Sequence, residues 1–275
     1  MKQFKIGLQL YTVATEMEKD MPGTLRKVKE MGYDYVEFAG YFGHTAEEVR
    51  ALCDEIGLAI VSVHQKHDVF LTEPEDAVAY LKTLGVKYCA VPWVSRTAWA
   101  ENYAGLIGEL SKTSDILKEA GISLLYHNHE FELLDKIDGE FILDKMCKAL
   151  GRDKIVPELD VCWVHYAGQR PEEYIKKYAY MKVLHLKDFV CDNLGAGPVY
   201  ELIDENGNTP KNRDRKTDGF HFRSVGAGRQ DIPAIMKAAE ATDIEYVIVE
   251  QDNDFEGGCL AAAAQSRAYL KSIGY

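Results

Sequence analysis

The chain has 275 residues, 44 acidic against 32 basic, for a formal net charge of −12. That length exceeds a small disulfide-stapled module and fits two domains of about 150 residues or one large barrel. The acidic balance works against phosphate backbones and anionic lipid, so neither nucleic acid nor a membrane surface is an expected partner. With 47% hydrophobic residues the chain can bury a sizeable core.

The six cysteines, Cys53, Cys89, Cys147, Cys162, Cys191 and Cys259, are scattered without a CxxC pair or a framework spacing. Reduced structural thiols are the reading, not disulfides or a thiolate zinc site. Met1-Lys2 leads straight into a strand-like run with no apolar leader, and no apolar stretch approaches 18 residues. A cytoplasmic protein is expected.

In chain order, strand candidates fall at 5–11, 33–38, 58–64, 86–91, 122–128, 154–160, 181–187 and 245–251. Helical spacing follows each, at 22–31, 45–56, 74–84, 100–120, 139–150, 171–179, 231–241 and 256–273. Gly32, Gly57, Gly85 and Gly121 stand between a helix and the next strand, as left-handed C-caps require. Thr45 with Glu48 forms a capping-box pattern, and Pro171 marks a first helical turn. Eight βα units with no composition shift predict an α/β fold, a single (β/α)8 TIM-barrel domain over 1–275. One connection breaks the rhythm: after strand seven, residues 190–229 form a long Gly-, Asn- and charge-rich loop, expected as a lid at the C-terminal face.

Polar side chains recur where the predicted strands end, the rim at which barrel active sites assemble. These are Glu37, His64, His127 and His129, Glu158 and Asp160, His185 and Lys187, and Glu250 and Asp252. Four of them are i, i+2 pairs, whose members share one face of a strand. Pointed inward, the acids and imidazoles converge, and a divalent cation is the simplest compensation for so much charge in a low-dielectric mouth. Oxygen and imidazole donors without thiolate favour one Mn²⁺, Mg²⁺, Co²⁺ or Zn²⁺ ion, with Asp160, His185 and Glu250 as ligands.

These motifs carry a family resemblance over nearly the whole chain: GLQLYT (7–12), SVH (62–64), YHNHEFE (126–132), ELDVCW (158–163), HLKD (185–188), VGAGRQD (225–231) and VEQD (249–252). The sequence resembles the sugar phosphate isomerase/epimerase proteins of the xylose-isomerase-like TIM-barrel superfamily. The resemblance implies one divalent metal held by Glu, Asp, His and Glu, of which Asp160, His185 and Glu250 match the last three. The strand-five Glu does not transfer, because Tyr126-His127-Asn128-His129 stand there. Glu132 takes the fourth place ahead of Glu158, with either histidine as a further candidate.

The reaction expected is isomerisation or epimerisation of a sugar or keto-sugar through C–H proton abstraction and a metal-stabilised enediolate. Glu250 is the base, His127 or His129 returns the proton, and Lys187 holds a substrate oxygen. His64 and Glu37 are candidate substrate contacts, and Trp163, Trp93 and Trp99 suit stacking on a sugar face or plain packing. Gly226-Ala227-Gly228 is too short for a phosphate cradle. The alternative is a 3-keto-glycoside lyase or hydrolase working by β-elimination at the same metal site. Endonuclease IV-like phosphodiester cleavage and a non-catalytic sugar-binding barrel rank lower. The partner is a small sugar or glycoside, and barrels of this type often form homodimers.

Overall fold

The structure, a computed structural model, describes residues 2–196, 199, 219–253 and 255–275. Eight parallel strands close into a barrel in sequential order: β1 Lys5–Gln9, β2 Tyr35–Phe38, β3 Ala59–His64, β4 Tyr88–Val91, β5 Ser123–His127, β6 Val156–Asp160, β7 Val183–Leu186 and β8 Tyr246–Val249. Around them pack α1 Ala14–Met31, α2 Ala46–Ile56, α3 Pro74–Leu84, α4 Arg96–Glu119, α5 Ile142–Leu150, α6 Pro171–Lys177, α7 Ile232–Glu240 and α8 Cys259–Ser272. This is the (β/α)8 TIM barrel that the alternation predicts. Among the described residues no helix is long and apolar enough to cross a membrane.

The predicted caps appear where the sequence puts them. Gly32, Gly57 and Gly85 end α1, α2 and α3 in left-handed geometry, and Thr45 with Glu48 closes a reciprocal capping box on α2. Two helices start earlier than their periodicity shows. At Asp20 the backbone leaves helical angles (φ −157°, ψ 85°), and its Oδ1 accepts the Gly23 N–H at 2.9 Å. Asp20 thus caps the 22–31 segment internally, and Ala14–Lys19 is a further turn and a half packed before it. Asn102 breaks α4 in the same way (φ −138°).

Barrel closure sets the site through strand period. Leu125, Val183, Tyr246 and Ile248 fill the barrel interior as one apolar cluster with Val156 packed against it. Two residues further along the same strands stand His127, His185, Glu250 and Glu158, so the apolar plug is followed directly by a polar layer. The register places His127 beside Glu158 and Asp160 beside His185.

After β7 the chain forms a ribbon, Asp188–Val190 antiparallel to His221–Arg223. The expected lid at 190–229 lies for the most part, at 200–218, outside the described residues. Its return is tied down by Asp188, whose carboxylate accepts N–H groups from Phe189 and Gln230 on Oδ1 and from Gly226 and Gly228 on Oδ2, at 2.8–3.1 Å. A Cβ on Gly228 would meet Asp188 Oδ1 at 2.1 Å and the Phe189 carbonyl at 2.6 Å. The Gly226–Gly228 turn therefore cradles an internal carboxylate. Gly228→Ala is expected to destabilise the protein by about 1–3 kcal/mol, read from urea unfolding midpoints, because the carbonyl it meets is backbone; an unchanged midpoint contradicts this packing.

Candidate active site

The polar layer is continuous and almost wholly buried. Glu37, at the end of β2, has Oε1 within 2.6 Å of the donating Gln9 Nε2, 2.9 Å of His64 Nε2 and 2.8 Å of His185 Nε2. Its Oε2 accepts the Ser62 hydroxyl. Glu158 Oε2 lies 2.8 Å from His64 Nε2, 3.3 Å from His127 Nδ1 and 3.3 Å from His185 Nε2. On the solvent side, Glu250 Oε2 is 2.9 Å from His185 Nδ1 and 3.0 Å from Lys187 Nζ. Lys187 also lies 3.1 Å from Asp160 Oδ2 and 3.1 Å from Asp252 Oδ1. Its side chain is 1% exposed, which for an ammonium is tolerable only with partners of this kind.

Two overlapping sets of donors lie within 4.8 Å of one another: His64, His127, Glu158 and His185, and His127, Asp160, His185 and Glu250. Asp160, His185 and Glu250, the three ligands expected from the sequence, fall in the second set. The two candidates for the fourth place separate. Glu158 belongs to the first set, whereas Glu132 points behind the barrel, accepting the Tyr126 hydroxyl on Oε1 at 2.7 Å and the His129 N–H on Oε2 at 2.8 Å. Tyr126 in turn accepts the Trp99 indole N–H at 3.0 Å, so Trp99 packs outside the strands and not at the mouth.

Charge state follows from burial and neighbours. Burial would raise the Glu37 carboxyl, but the His64 and His185 charges hold it well below the usual range. Burial likewise opposes, yet Glu37 and Glu158 lift His64 to about 10. Burial with the Glu37 charge pushes Glu158 up to about 7, and burial pushes Asp160 to about 6 against the pull of Lys187. Glu250 goes the other way: Lys187 and His185 outweigh its burial and keep it ionised. His127 and His129 are both lowered, first by burial, then by the charge of His185 for one and of Lys187 for the other. The mouth thus holds two neutral imidazoles beside a permanent ammonium.

A cavity of about 360 Å³ opens over this layer, lined among others by Tyr11, His64, Trp93, His129, Lys187 and Glu250. His129 sits edge-on to Trp93 at 4.7 Å between ring centroids. Trp163 lies beneath Lys187, 5.3 Å from the ammonium, stacked on Phe220. A second cavity of about 400 Å³ is lined by Tyr35, Ala59, Lys87 and Tyr246, where strands begin. In barrels that end serves stability, so the chemistry belongs to the first cavity. Gln9 and Ser62 complete the network without having stood out as site residues; their signal was a polar side chain inside an otherwise apolar strand.

A closed parallel barrel carrying its buried acids and imidazoles at the C-terminal mouth has them where TIM-barrel active sites are built. The xylose isomerase-like TIM-barrel family model matches residues 25–273, and the chain belongs to that family. Among solved structures it is similar to a sugar phosphate isomerase/epimerase from Parabacteroides distasonis, at 24% identity and a TM-score of 0.77, covering 100% of this chain and 96% of that one. It is also similar to an L-ribulose 3-epimerase, at 15% identity and TM-score 0.64, covering 98% and 94%. An AP endonuclease of family 2 from Brucella melitensis shares 15% identity and TM-score 0.65, covering 98% and 99%. At these identities the likeness is one of fold. No curated protein matches the sequence significantly.

Glu132 offers a test of this electrostatic picture away from the mouth. Burial raises its carboxyl to about 8, with the Tyr126 hydrogen bond opposing. A folded-state value above the unfolded one means that stability is full below about 4.5 and declines as pH rises through about 8. Thermal melts of Glu132→Gln against the parent should therefore show a shallower loss of Tm across that window. Parallel slopes would contradict a buried, protonatable Glu132.

Proposed function

We propose that this protein is a divalent-metal-dependent isomerase or epimerase of a sugar or keto-sugar, working by proton transfer at the carbon beside a carbonyl. The observation that supports it is the convergence of five buried carboxylates, Glu37, Glu158, Asp160, Glu250 and Asp252, with three imidazoles and one ammonium under a cavity of monosaccharide size. The donor set suits a dication: it is oxygen and imidazole nitrogen without thiolate. Three of its buried atoms, Glu158 Oε1, His127 Nδ1 and Asp160 Oδ2, have no hydrogen-bond partner among the described residues beyond ion-pair contacts. His127 and His185 are common to both donor sets and would hold the ion in either, with Glu158 completing one and Asp160 and Glu250 the other. When bound, such an ion supplies Lewis-acid polarisation of a carbonyl and its neighbouring hydroxyl, lowering the cost of an enediolate.

The chain's own residues supply the rest. Glu250, kept ionised, faces the cavity and takes the proton from carbon. The acid so formed returns the proton to carbon, and His129, kept neutral beside it, hydrogen-bonds a substrate oxygen without giving up a proton. Lys187 stays charged throughout and is placed to hold the oxygen on which negative charge develops. His64 and Glu37 fix the imidazole and carboxylate positions from below. Trp93 walls the cavity, and its buried indole N–H, without a partner among the described residues, suits a sugar hydroxyl.

A second reading, β-elimination from a 3-keto-glycoside, is favoured by the two neutral imidazoles at the end of β5: one takes the α-proton, and the imidazolium so formed passes that proton on to the departing oxygen. Incubation in deuterated water separates the two. Isomerase or epimerase action gives deuterium in recovered sugar and in its isomer with no leaving group lost, and elimination gives free aglycone from the keto-glycoside. Lys187→Met is expected to cut either rate by about a hundredfold or more. Absence of both exchange and aglycone release across a panel of ketoses, aldoses and keto-glycosides would remove the proposal.

A further inference from the structure

We infer that Trp93 and His129 form a clip for one hydroxyl of the sugar, a group outside the proton transfer, and that this clip decides which sugars are accepted and which carbon meets Glu250. The inference rests on the reading of the cavity as a sugar site and names the means by which that site tells sugars apart.

His129 differs from the other imidazoles of the polar layer. His64 and His127 lie 2.8 and 3.3 Å from Glu158 Oε2, and His185 lies 2.8 Å from Glu37 Oε1. His129 is just as buried, at 5% exposure, yet its Nδ1 has no hydrogen-bond partner among the described residues. Rings hold it instead. Trp93 stands edge-on at 4.7 Å between centroids, Trp163 lies at 5.7 Å and Phe131 is stacked at 6.3 Å. Packing thus fixes the imidazole and leaves its hydrogen-bonding capacity unspent.

Trp93 repeats the pattern. It follows the last residue of β4 by two positions, as His129 follows the last residue of β5. The two strands are neighbours, with Val91 paired to Tyr126, so both side chains arrive at the same edge of the mouth. The Trp93 indole N–H is also buried without a partner among the described residues, and both residues line the cavity of about 360 Å³. Two unpaired buried polar groups side by side are costly, and one ligand oxygen between them satisfies both.

The chemistry of the pair selects that oxygen. An indole N–H only donates, whereas an imidazole nitrogen donates or accepts according to its tautomer. A hydroxyl does both, so it suits the pair in either tautomer. The neighbouring walls are the Phe131 and Trp163 rings, which favour an uncharged hydroxyl and make an anionic phosphate costly at this point. Glu250 and Lys187 line the same cavity, so a sugar held by the clip meets them in one orientation.

The test is calorimetric titration of the full-length protein, in the presence of Mn²⁺, with D-fructose, D-tagatose, D-glucose and D-galactose, then with the monodeoxy derivatives of the tightest binder. Loss of the clipped hydroxyl is expected to weaken binding by about ten- to a hundredfold. Trp93→Phe and His129→Phe keep a ring in place and drop the nitrogens. Each should bind the intact sugar about as weakly as the parent protein binds that deoxy sugar, and that same deoxygenation should then cost nothing further, because both changes remove one interaction. Near-UV circular dichroism matching the parent shows that a variant is folded. A crystal structure of the parent protein with the sugar supplies a measurement free of variants: one hydroxyl oxygen should lie within about 3.2 Å of both Trp93 Nε1 and a His129 ring nitrogen. Additive losses in a folded variant, or a bound sugar with no oxygen on these nitrogens, overturns the clip, while deuterium exchange by the parent protein leaves the isomerase reading standing. Binding of no sugar in the panel overturns the clip as well, and absence of exchange then removes the reading beneath it.

Discussion

Everything at the mouth of this barrel depends on one constraint: five carboxylates enter a space from which water is largely excluded, and each must find positive charge there. Lys187, buried to 1% exposure, answers three of them from one point. His64 and His185 answer Glu37 and Glu158. Closure of the sheet is what makes this unavoidable, because strands adjacent in sequence bring their ends to one ring and the period of two turns successive polar residues to the same side. The apolar plug of Leu125, Val183 and Ile248 below the ring keeps the dielectric low and the interactions strong.

The constraint also sorts the side chains by chemical duty. Glu250, beside Lys187 and His185, remains ionised, whereas Asp160, also beside Lys187, is pushed up by burial to about 6, and Glu158, farther in and beside Glu37, to about 7. The imidazoles split as well: His64, between two acids, is lifted, and His127 and His129, next to other cations, are lowered. A neutral imidazole, an ionised carboxylate and a fixed ammonium within one cavity suit the proton transfer proposed for this site. Asp188 contributes at a distance, using four backbone N–H groups to anchor the returning loop immediately after Lys187.

Much of this was legible in the sequence because it rests on local rules. The eight units, the glycine caps at 32, 57 and 85, and the inward pairs Glu158/Asp160, His185/Lys187 and Glu250/Asp252 all follow from period and capping chemistry. Other features depended on tertiary partners that periodicity does not carry. Pro22 and Gly23 read as a helix start, although Ala14–Lys19 is helical before them, because Asp20 caps the second segment from inside the first. The short helix Val161–Tyr166 directly after β6 was hidden by its aromatic, strand-like composition. Glu132 entered as a ligand only through the family resemblance, and the three-dimensional positions of Tyr126 and the His129 N–H show why it turns away. Gln9 and Ser62 join the network through Glu37, a contact between strands that their polar character inside apolar strands hints at without naming the partner.

The most direct test of a cation-centred mouth is an anomalous difference map from crystals grown with Zn²⁺ or Mn²⁺ and collected at the metal's absorption edge. A single strong peak within bonding distance of His127 and His185, inside the ring of strand ends, is the predicted result. A barrel with no anomalous peak among these side chains, its acids and imidazoles paired only with one another, would contradict the account.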